Sequence, residues 1–207
     1  PTYGRHPWVF TSAIGSVNGE TEDGAPVAVY GEREDFLGWG IFNSKSDIRI
    51  RIYSWEESNS IKKDLFFRKV KEAVELRRTT LKLNRNDAAV RMVFSESDGL
   101  SGLVVDRYGD YLVVQITSLA LFKRKNEIVE ALVECLNPKG IFFKAEKNIL
   151  KAEGVAAESE TLYGEISSDP IEIVENDVRF WVQLKEGQKT GFFADQRDNR
   201  LLARNLA

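Results

Sequence analysis

The densest cluster of polar, glycine and aromatic side chains lies near the carboxyl end of the chain, in residues 186–200. It contains the run Lys189-Thr190-Gly191, which is similar to two short catalytic motifs. The phosphate-binding loop requires Gly-Lys-Thr with a second glycine five residues earlier, because its backbone N–H groups surround the phosphates. Gln188 separates Gly187 from Lys189, so this match fails.

The same run fits part of the signature of penicillin-binding serine enzymes, which combine Ser-x-x-Lys with Lys-Thr-Gly. Ser60 and Lys63 supply the first pattern, and Lys189 to Gly191 supply the second. The third motif of these enzymes, Ser-Asp-Asn, does not occur in the sequence. Ser60 also fits the N-cap of a following helix. Acyl transfer by Ser60 stays an alternative.

The composition excludes several chemistries. The chain has 207 residues, a formal net charge of −3, one cysteine (Cys135) and one histidine (His6). A single cysteine rules out a disulfide framework and a cysteine-based zinc site, and it is typical of a reducing cytoplasm. A single histidine rules out a metal site built on a histidine pair, so no metal is expected. Because no apolar run reaches the length of a membrane span, we expect a cytoplasmic protein without a membrane partner.

Positive charge is concentrated in residues 61–95, where 10 basic side chains accompany 4 acidic ones. Apolar side chains in this segment repeat with the period of a helix, and basic side chains occupy the opposite face. Such a face can neutralise RNA phosphates, or it can simply be solvated. The candidate RNA-binding residues on this face are Lys62, Lys63, Lys69, Arg77 and Arg78.

Short strands between turn signals occupy residues 8–55 and predict a small β-barrel. In this barrel Trp39 stands between Gly38 and Gly40, which allow close approach of another strand or a ligand. Trp39 is either buried in the barrel or available to stack on RNA. The polar segment 55–60 marks the first domain boundary.

The next part of the chain mixes helices and strands. A helix from Ser60, a hairpin across Gly109-Asp110 and a second helix over residues 120–136 are followed by a hairpin over residues 171–184. This order predicts an α+β domain. Cys135 falls beside the apolar stripe of the second helix, which favours a small core side chain over a nucleophile.

Four ordered blocks of the sequence resemble one enzyme family, the S-adenosylmethionine-dependent cytosine-5 methyltransferases of large-subunit ribosomal RNA. The resemblance covers nearly all of the chain. The blocks are Arg5-His6-Pro7-Trp8-Val9-Phe10, Gly38-Trp39-Gly40-Ile41-Phe42-Asn43, Glu96-Ser97-Asp98-Gly99-Leu100-Ser101-Gly102-Leu103-Val104-Val105-Asp106-Arg107-Tyr108-Gly109 and Lys189-Thr190-Gly191-Phe192-Phe193-Ala194-Asp195-Gln196-Arg197.

This resemblance implies an α+β protein of three parts. A PUA-like RNA-binding β-barrel covers residues 1–58, a mixed α+β domain covers 59–184, and residues 185–207 begin a Rossmann-like methyltransferase domain. The glycine-rich cofactor loop and the catalytic cysteine of that domain have no counterpart in the sequence, and Cys135 does not match that cysteine. Methylation of cytosine C5 needs a thiolate that attacks C6. We therefore expect the 207-residue chain alone to be inactive.

The resemblance also implies which residues approach the cofactor, S-adenosylmethionine, and the target base. Either these residues line the cofactor-binding site, or they pack against one another in the junction between domains. Ribosomal RNA is the implied partner, and the sequence leaves open whether the chain forms a homodimer. A stand-alone RNA-binding module without catalytic activity is the alternative function. The implied cofactor-binding residues are Lys189, Thr190, Gly191, Phe192, Phe193, Asp195, Gln196 and Arg197.

Overall fold

A computed structural model describes residues 5–62, 64–83, 88–186 and 191–206. The first part of the chain forms a four-stranded antiparallel sheet in the spatial order β1-β4-β3-β2. Its strands agree with the apolar and alternating runs of the sequence, because those side chains lie on a half-buried, pleated surface. The strands are β1 (Trp8–Phe10), β2 (Pro26–Tyr30), β3 (Phe36–Phe42) and β4 (Ile48–Ser54).

Two glycines in β3 allow the close approach that the sequence suggested. A Cβ atom on Gly40 would lie 2.3 Å from Cγ2 of Ile50 and 2.9 Å from the carbonyl oxygen of Arg51. A Cβ atom on Gly38 would lie 2.7 Å from Cγ2 of Ile52. At these two glycines β3 and β4 therefore lie so close together that a side chain at either position would push the strands apart.

Replacing Gly40 by alanine should therefore destabilise the first sheet. The new methyl group meets backbone as well as side-chain atoms, and forced contacts of this kind cost about 1–3 kcal/mol. Urea unfolding of the variant measures the loss. The matched control is Gly15→Ala, because a Cβ atom there has nothing within 4 Å; it should leave the free energy of unfolding unchanged or raise it slightly.

A five-stranded sheet forms the centre of the second part, in the spatial order β5-β6-β7-β8-β9. All neighbouring strands are antiparallel except β7 and β8, which are parallel. A parallel pair needs a crossover connection, and the helices α2 and α3 supply it. The strands are β5 (Ala89–Phe94), β6 (Leu103–Tyr108), β7 (Tyr111–Ile116), β8 (Gly140–Phe143) and β9 (Glu160–Gly164), and the crossover helices are α2 (Leu119–Phe122) and α3 (Lys125–Leu136).

The helical side of this sheet contains the main core. The helix α1 (Asp64–Glu75) packs beside α3, and Leu103 and Val105 of β6 point into the same cluster. Ile41 and Tyr53 of the first sheet also belong to it, and the rings of Tyr53 and Phe66 are 5.2 Å apart. The first sheet and the α+β part therefore share one continuous hydrophobic core.

Two helix predictions need correction. The helix expected from Ser60 begins at Asp64, so Ser60 does not cap it directly. The helix expected over residues 120–136 is divided at Lys123 and Arg124 into α2 and α3. The predicted end before Asn137 is confirmed: Asn137 is the C-cap of α3, with a φ of 43°. The sequence also missed α4 (Lys147–Ala152) and β9.

The opposite side of the central sheet carries a second, smaller core. Its cover is a hairpin of β10 (Ile171–Glu175) and β11 (Val178–Val182), which the sequence predicted. Tyr108 of β6 points into this cluster, together with Ile173 and Val182 of the hairpin. A short 3₁₀ turn (Ala194–Gln196) and the helix α5 (Arg197–Leu206) complete the described chain.

Candidate functional site

The carboxyl-terminal segment, residues 191–206, is attached to the second core through Phe192. The rings of Phe192 and Phe180 are 5.1 Å apart. The Tyr108 hydroxyl donates to the Phe192 carbonyl oxygen at 3.1 Å and lies 3.2 Å from the Phe192 N–H, which donates to it. Phe192 therefore packs at a junction, which is one of the two roles expected for it. Lys189 and Thr190 lie outside the described residues.

A buried carboxylate holds α5 in place. Glu175 is only 4% exposed, and it accepts hydrogen bonds from Nε and Nη2 of Arg200 at 2.7 and 2.9 Å. Nε of Arg197 lies 3.7 Å from the same carboxylate, and Nη2 of Arg197 donates to the carbonyl oxygen of Ala89 at 3.2 Å. The guanidinium group of Arg200 also lies 4.3 Å from the Phe192 ring centroid. Arg197, implied to bind the cofactor, is thus engaged by groups of this chain.

Other implied cofactor residues face solvent. Phe193, Asp195 and Gln196 are exposed. Their neighbour Arg91 has a pKa above its ordinary value, mainly because of its hydrogen bonds to Asp106 and in smaller part because of the charge of Asp195. The exposed Phe193 ring and the Asp195 carboxylate could form one wall of a cofactor site, with an apolar and an anionic portion.

Several large apolar side chains of α5, of the turn before it and of the hairpin are exposed. Their exposed fractions include 68% for Trp181, 61% for Leu202 and 81% for Leu206. Arg204 of α5 donates to the carbonyl oxygen of Asn176 at 2.5 Å, which ties the helix to the hairpin turn. The exposed large apolar side chains of these elements are Val178, Trp181, Phe193, Leu201, Leu202 and Leu206.

The predicted basic face is not one surface. Lys62 is exposed before α1, and Lys63 lies outside the described residues. Lys69 is half-buried, and burial lowers its pKa. Arg78 is half-buried at the other end of the helix. The basic side chains of this segment are therefore distributed over separate positions.

Arg77 corrects the sequence prediction. Its side chain is buried, and Nη1 lies 2.5 Å from Oδ1 of Asp98, whose Oδ2 accepts a hydrogen bond from the N–H of Phe94. Nε of Arg77 donates to the carbonyl oxygen of Arg91 at 3.2 Å. A guanidinium group enclosed by its own partners is not presented to RNA phosphates. The burial of Arg77 could have been predicted from the sequence, because Arg77 lies seven residues after Val70 and therefore on the same helix face.

Trp39 belongs to an aromatic group on the first sheet. Its Nε1–H donates to the carbonyl oxygen of Glu57 at 2.9 Å, and its ring is 5.9 Å from the ring of Phe36. The ring of Phe36 is 5.8 Å from that of Tyr30, which is exposed. Trp39 is half-buried, so it packs on the first sheet, whose described strands do not close into the expected barrel, and still presents part of its ring. The sequence reasoning missed Tyr30 and Phe36 as candidate stacking residues.

A buried carboxylate joins the first sheet to the α+β part. Glu153 accepts hydrogen bonds from Oγ of Ser46 at 2.6 Å, Nη2 of Arg51 at 3.0 Å, Nδ2 of Asn43 at 3.1 Å and the N–H of Leu119 at 3.0 Å. Burial by itself would raise the pKa of Glu153, but these hydrogen bonds and the charge of Arg51 together lower it below its ordinary value. The carboxylate is therefore ionised and fully bonded at neutral pH.

Arg51 extends this network to the first strand. Its Nη1 donates to Oγ of Ser101 at 3.1 Å, and its guanidinium carbon lies 5.5 Å from the Trp8 ring centroid. The Trp8 Nε1–H donates to both Glu96 and Ser101 at 3.0 Å. The resulting contacts fix the direction of the first sheet relative to the central sheet. No single sequence motif contains these residues.

Other candidate chemistries gain no support from the described residues. Within these residues, no group of three or more His, Cys, Asp or Glu side chains is arranged to hold a metal ion. None of the helices in the described ranges is long and apolar enough to cross a membrane. Cys135 is half-buried, and burial raises the pKa of its thiol. A raised thiol pKa disfavours the nucleophilic thiolate.

Residues 2–55 match the family model of the PUA-like domain. This match and the α+β arrangement confirm the predicted fold class, a PUA-like amino-terminal part followed by a mixed α+β part. Two solved structures share the fold at 22% sequence identity. One is a Streptococcus mutans protein provisionally described as a SAM-dependent methyltransferase, with a TM-score of 0.77 over 96% of this chain and 50% of that one. The other, provisionally described as a methyltransferase complexed with SAH, has a TM-score of 0.75 over 94% and 48%.

Curated relatives match nearly the whole of the chain. The chain is 37% identical over 196 residues to ribosomal RNA large subunit methyltransferase I of Aliivibrio fischeri, covering 95% of this chain and 49% of that protein. It is 35% identical over 204 residues to the protein of the same name from Tolumonas auensis, covering 98% and 51%. The chain thus spans about half the length of the curated relatives it matches.

Proposed function

We propose that this chain is the RNA-recognition and linking part of a class I S-adenosylmethionine-dependent ribosomal RNA (cytosine-5) methyltransferase. The observation that carries the proposal is the match along nearly the whole chain to ribosomal RNA large subunit methyltransferase I. The PUA-like match over residues 2–55 supports an RNA-binding role for the amino-terminal part. The partner is then ribosomal RNA, and the protein acts in the cytoplasm.

The proposed parts are a barrel over residues 1–58, an α+β domain over 59–184 and the beginning of a Rossmann-like catalytic domain over 185–207. Two observations support a catalytic domain outside this chain. The relatives are about twice as long as the segment they share with it. The helix α5 also exposes Leu201, Leu202 and Leu206, which would pack against such a domain.

The cofactor of the whole enzyme is S-adenosylmethionine, which supplies the methyl group when bound. The proposed binding residues are those of the carboxyl-terminal segment. Within the described part of that segment, the exposed Phe193 ring fits an apolar portion of the cofactor and the Asp195 carboxylate fits a cationic or hydroxyl group. Phe192 and Arg197 would support the site indirectly, because their contacts with Tyr108 and Ala89 hold Phe193 and Asp195 in position. The complete proposed set is Lys189, Thr190, Gly191, Phe192, Phe193, Asp195, Gln196 and Arg197.

RNA would bind along the barrel and the separated basic positions. The Tyr30–Phe36–Trp39 group offers aromatic surface for base stacking. Lys62, Lys63, Lys69 and Arg78 would neutralise phosphates, while Arg77 is excluded because it is enclosed with Asp98. Single-stranded or irregular RNA is the expected substrate, since its unpaired bases can stack on aromatic rings.

Fluorescence anisotropy with a labelled single-stranded fragment of large-subunit ribosomal RNA tests this proposal. We expect binding that weakens with salt, and we expect Trp39→Ala to reduce the affinity roughly tenfold, because one stacked base contributes about 1–3 kcal/mol. The control is Trp181→Ala, which removes a more exposed tryptophan from the hairpin; its RNA affinity should equal that of the unmodified chain. Equal affinities for the Trp39 variant and the control would contradict the stacking role.

Incubation of the chain with labelled S-adenosylmethionine and the same RNA tests the catalytic part. No methyl transfer is expected, because the thiolate that cytosine-5 methylation requires has no candidate other than the half-buried Cys135. Detectable transfer would overturn the proposal of a separate catalytic domain. The downstream coding sequence provides a second check: a strand and glycine-rich loop soon after Ala207 support the proposal, and a stop codon supports a stand-alone RNA-binding module.

A further inference from the structure

We propose that a cleft between the first sheet and the α+β part binds one unpaired guanine base of the RNA. This inference rests on the proposed RNA-binding function and gives it a base-recognition subsite. The cleft has a volume of about 650 Å³, and sites for small molecules measure about 300–1,000 Å³. The space therefore admits one nucleotide that has left the stack of its neighbours.

Both parts of the chain contribute to the wall of the cleft. The first sheet supplies Trp8 from β1 and Ile48 from β4. The α+β part supplies Glu96 from the 3₁₀ turn Ser95–Asp98 and Ile149 from α4. A base in this space would contact both parts at once.

Trp8 offers the aromatic surface on which a base can stack. Its indole is held in place by the fold, because its Nε1–H donates to Glu96 and Ser101 at 3.0 Å. The guanidinium carbon of Arg51 also lies 5.5 Å from the centroid of the ring. Trp8 is nevertheless only half-buried, and the exposed Ile149 adds aliphatic surface. Stacking on an aromatic ring favours any base, and a ring that is already fixed loses little freedom when the base binds.

The charges of the wall favour a neutral hydrogen-bond donor over a phosphate group. The wall contains two cations, Lys45 and Arg51, and three carboxylates, Asp47, Glu96 and Glu153, so its formal net charge is −1. Arg51 lies 3.0 Å from Glu153 and 4.0 Å from Glu96, and its charge is therefore already compensated. A phosphate in the cleft would meet an excess of negative charge, whereas the N–H edge of a base would meet acceptors.

Glu96 is the acceptor that would recognise the base. Its side chain is 34% exposed. Its Oε1 accepts from Nε1 of Trp8 at 3.0 Å and from Oγ of Ser101 at 2.7 Å, and Oε2 retains acceptor capacity beside Ser95. Burial by itself would raise the pKa of Glu96, but its hydrogen bonds with Ser95, Ser101 and Trp8 contribute to a pKa below the ordinary value. An ionised carboxylate only accepts hydrogen bonds, so a donor must face it.

Guanine is the base whose edge suits this acceptor best. Its Watson–Crick edge presents two neighbouring donors, N1–H and the N2 amino group. On the same edge, adenine, cytosine and uracil place an acceptor beside their donor. That acceptor would be held against a carboxylate, and such repulsion discriminates between partners.

Titration with guanosine monophosphate, followed by the indole N–H signals of the tryptophans in NMR, tests the cleft itself. We expect a saturable shift of the Trp8 signal, because the base would change the surroundings of the ring and of the carboxylate to which it donates. Trp181 is exposed on the hairpin and should show no saturable shift. Adenosine monophosphate carries the same sugar and phosphate and should bind about tenfold more weakly. A Trp8 signal that responds equally to both nucleotides, or to neither, would overturn the proposal.

Glu96→Gln tests the acceptor. Glutamine keeps the Oε1 acceptor for Trp8 and Ser101, but it replaces Oε2 by an amide group that donates and therefore opposes the donors of guanine. We expect the affinity for guanosine monophosphate to fall about tenfold. The matched control is Glu172→Gln, because the Glu172 side chain has the same 34% exposure on the hairpin; its affinity should equal that of the unmodified chain.

Inosine monophosphate makes the same test on the unmodified chain. It lacks the N2 amino group and should bind more weakly than guanosine monophosphate. If Glu96→Gln keeps the full affinity for guanosine monophosphate, or if inosine monophosphate binds the unmodified chain equally well, the assignment of the acceptor is wrong.

Fluorescence anisotropy with two labelled oligouridines connects the cleft to RNA binding. One carries a central guanosine and the other a central adenosine, and we expect the first to bind about tenfold more tightly. If neither RNA binds, the proposed function fails, and the role of the cleft in RNA recognition fails with it. If both bind equally, the proposed function stands and only the guanine site is overturned. A preference for guanosine that Glu96→Gln abolishes supports both.

Discussion

Replacement of Glu153 by alanine should lower the free energy of unfolding by about 3–5 kcal/mol, because it removes the nearer of the two carboxylates beside the buried guanidinium group of Arg51 and leaves only Glu96 at 4.0 Å. The variant also removes the acceptor of Ser46, Asn43 and the Leu119 N–H. For a chain of this size, such a loss corresponds to a decrease in Tm of roughly 6–20 °C. Urea unfolding and calorimetry measure the two quantities.

The comparison variant is Glu158→Ala. Glu158 pairs with Lys147 at 2.7 Å, but the side chains of Glu158 and Lys147 are 76% and 69% exposed. Exposed pairs of this kind contribute about 0–1 kcal/mol. A loss for Glu153→Ala that is no larger than for Glu158→Ala would show that the buried network does not hold the first sheet to the central sheet.

Replacement of Glu175 by alanine should release α5 from the hairpin. The carboxylate holds Arg200 through two hydrogen bonds and Arg197 through a longer contact. Hydrogen bonds to charged groups contribute about 1.5–3 kcal/mol, so the open population of the segment should increase about tenfold or more. Trypsin should then cleave after Arg197, Arg200 or Arg204 about tenfold faster, because cleavage follows the population of the open form.

Glu172→Ala is the matched control for this experiment. Glu172 lies on the same strand as Glu175, and its oxygen is 3.7 Å from Nε of the exposed Arg179. Its loss should leave the cleavage rate of α5 unchanged. If both variants are cleaved at the rate of the unmodified chain, then Phe192 and the second core, not Glu175, determine the position of the segment.

The strands could be predicted well because their signal is local. The alternation in Ile48–Ser54 and the apolar run in Phe36–Phe42 reflect a sheet with one buried face, and each strand carries its own pattern. The strand Glu160–Gly164 was missed because it lies at the edge of the central sheet and is mostly exposed. An edge strand needs little apolar content, so polar residues there are compatible with pairing.

The candidate site could be predicted only in part, because its contacts join distant residues. Glu153 binds Asn43, Ser46 and Arg51, and nothing in the sequence near Glu153 indicates those partners. Arg77 likewise meets Asp98 and the carbonyl oxygen of Arg91 only in the folded chain. Side-chain types and spacing suggest which residues can do chemistry, whereas tertiary packing decides which of them meet.

The pairing of β1 carries a consequence for the order in which the protein matures. Trp8 is synthesised early, and its strand pairs with β4. Its indole Nε1–H donates to Glu96 and Ser101, which are synthesised much later. The strand pair of β1 and β4 can therefore form as soon as β4 has been synthesised, but the polar contacts of Trp8 form only after residues 96–101 emerge. Contacts between residues so distant in sequence form slowly in comparison with a helix, so the first sheet of the nascent chain passes through a stage in which it is paired but not yet fixed to the central sheet.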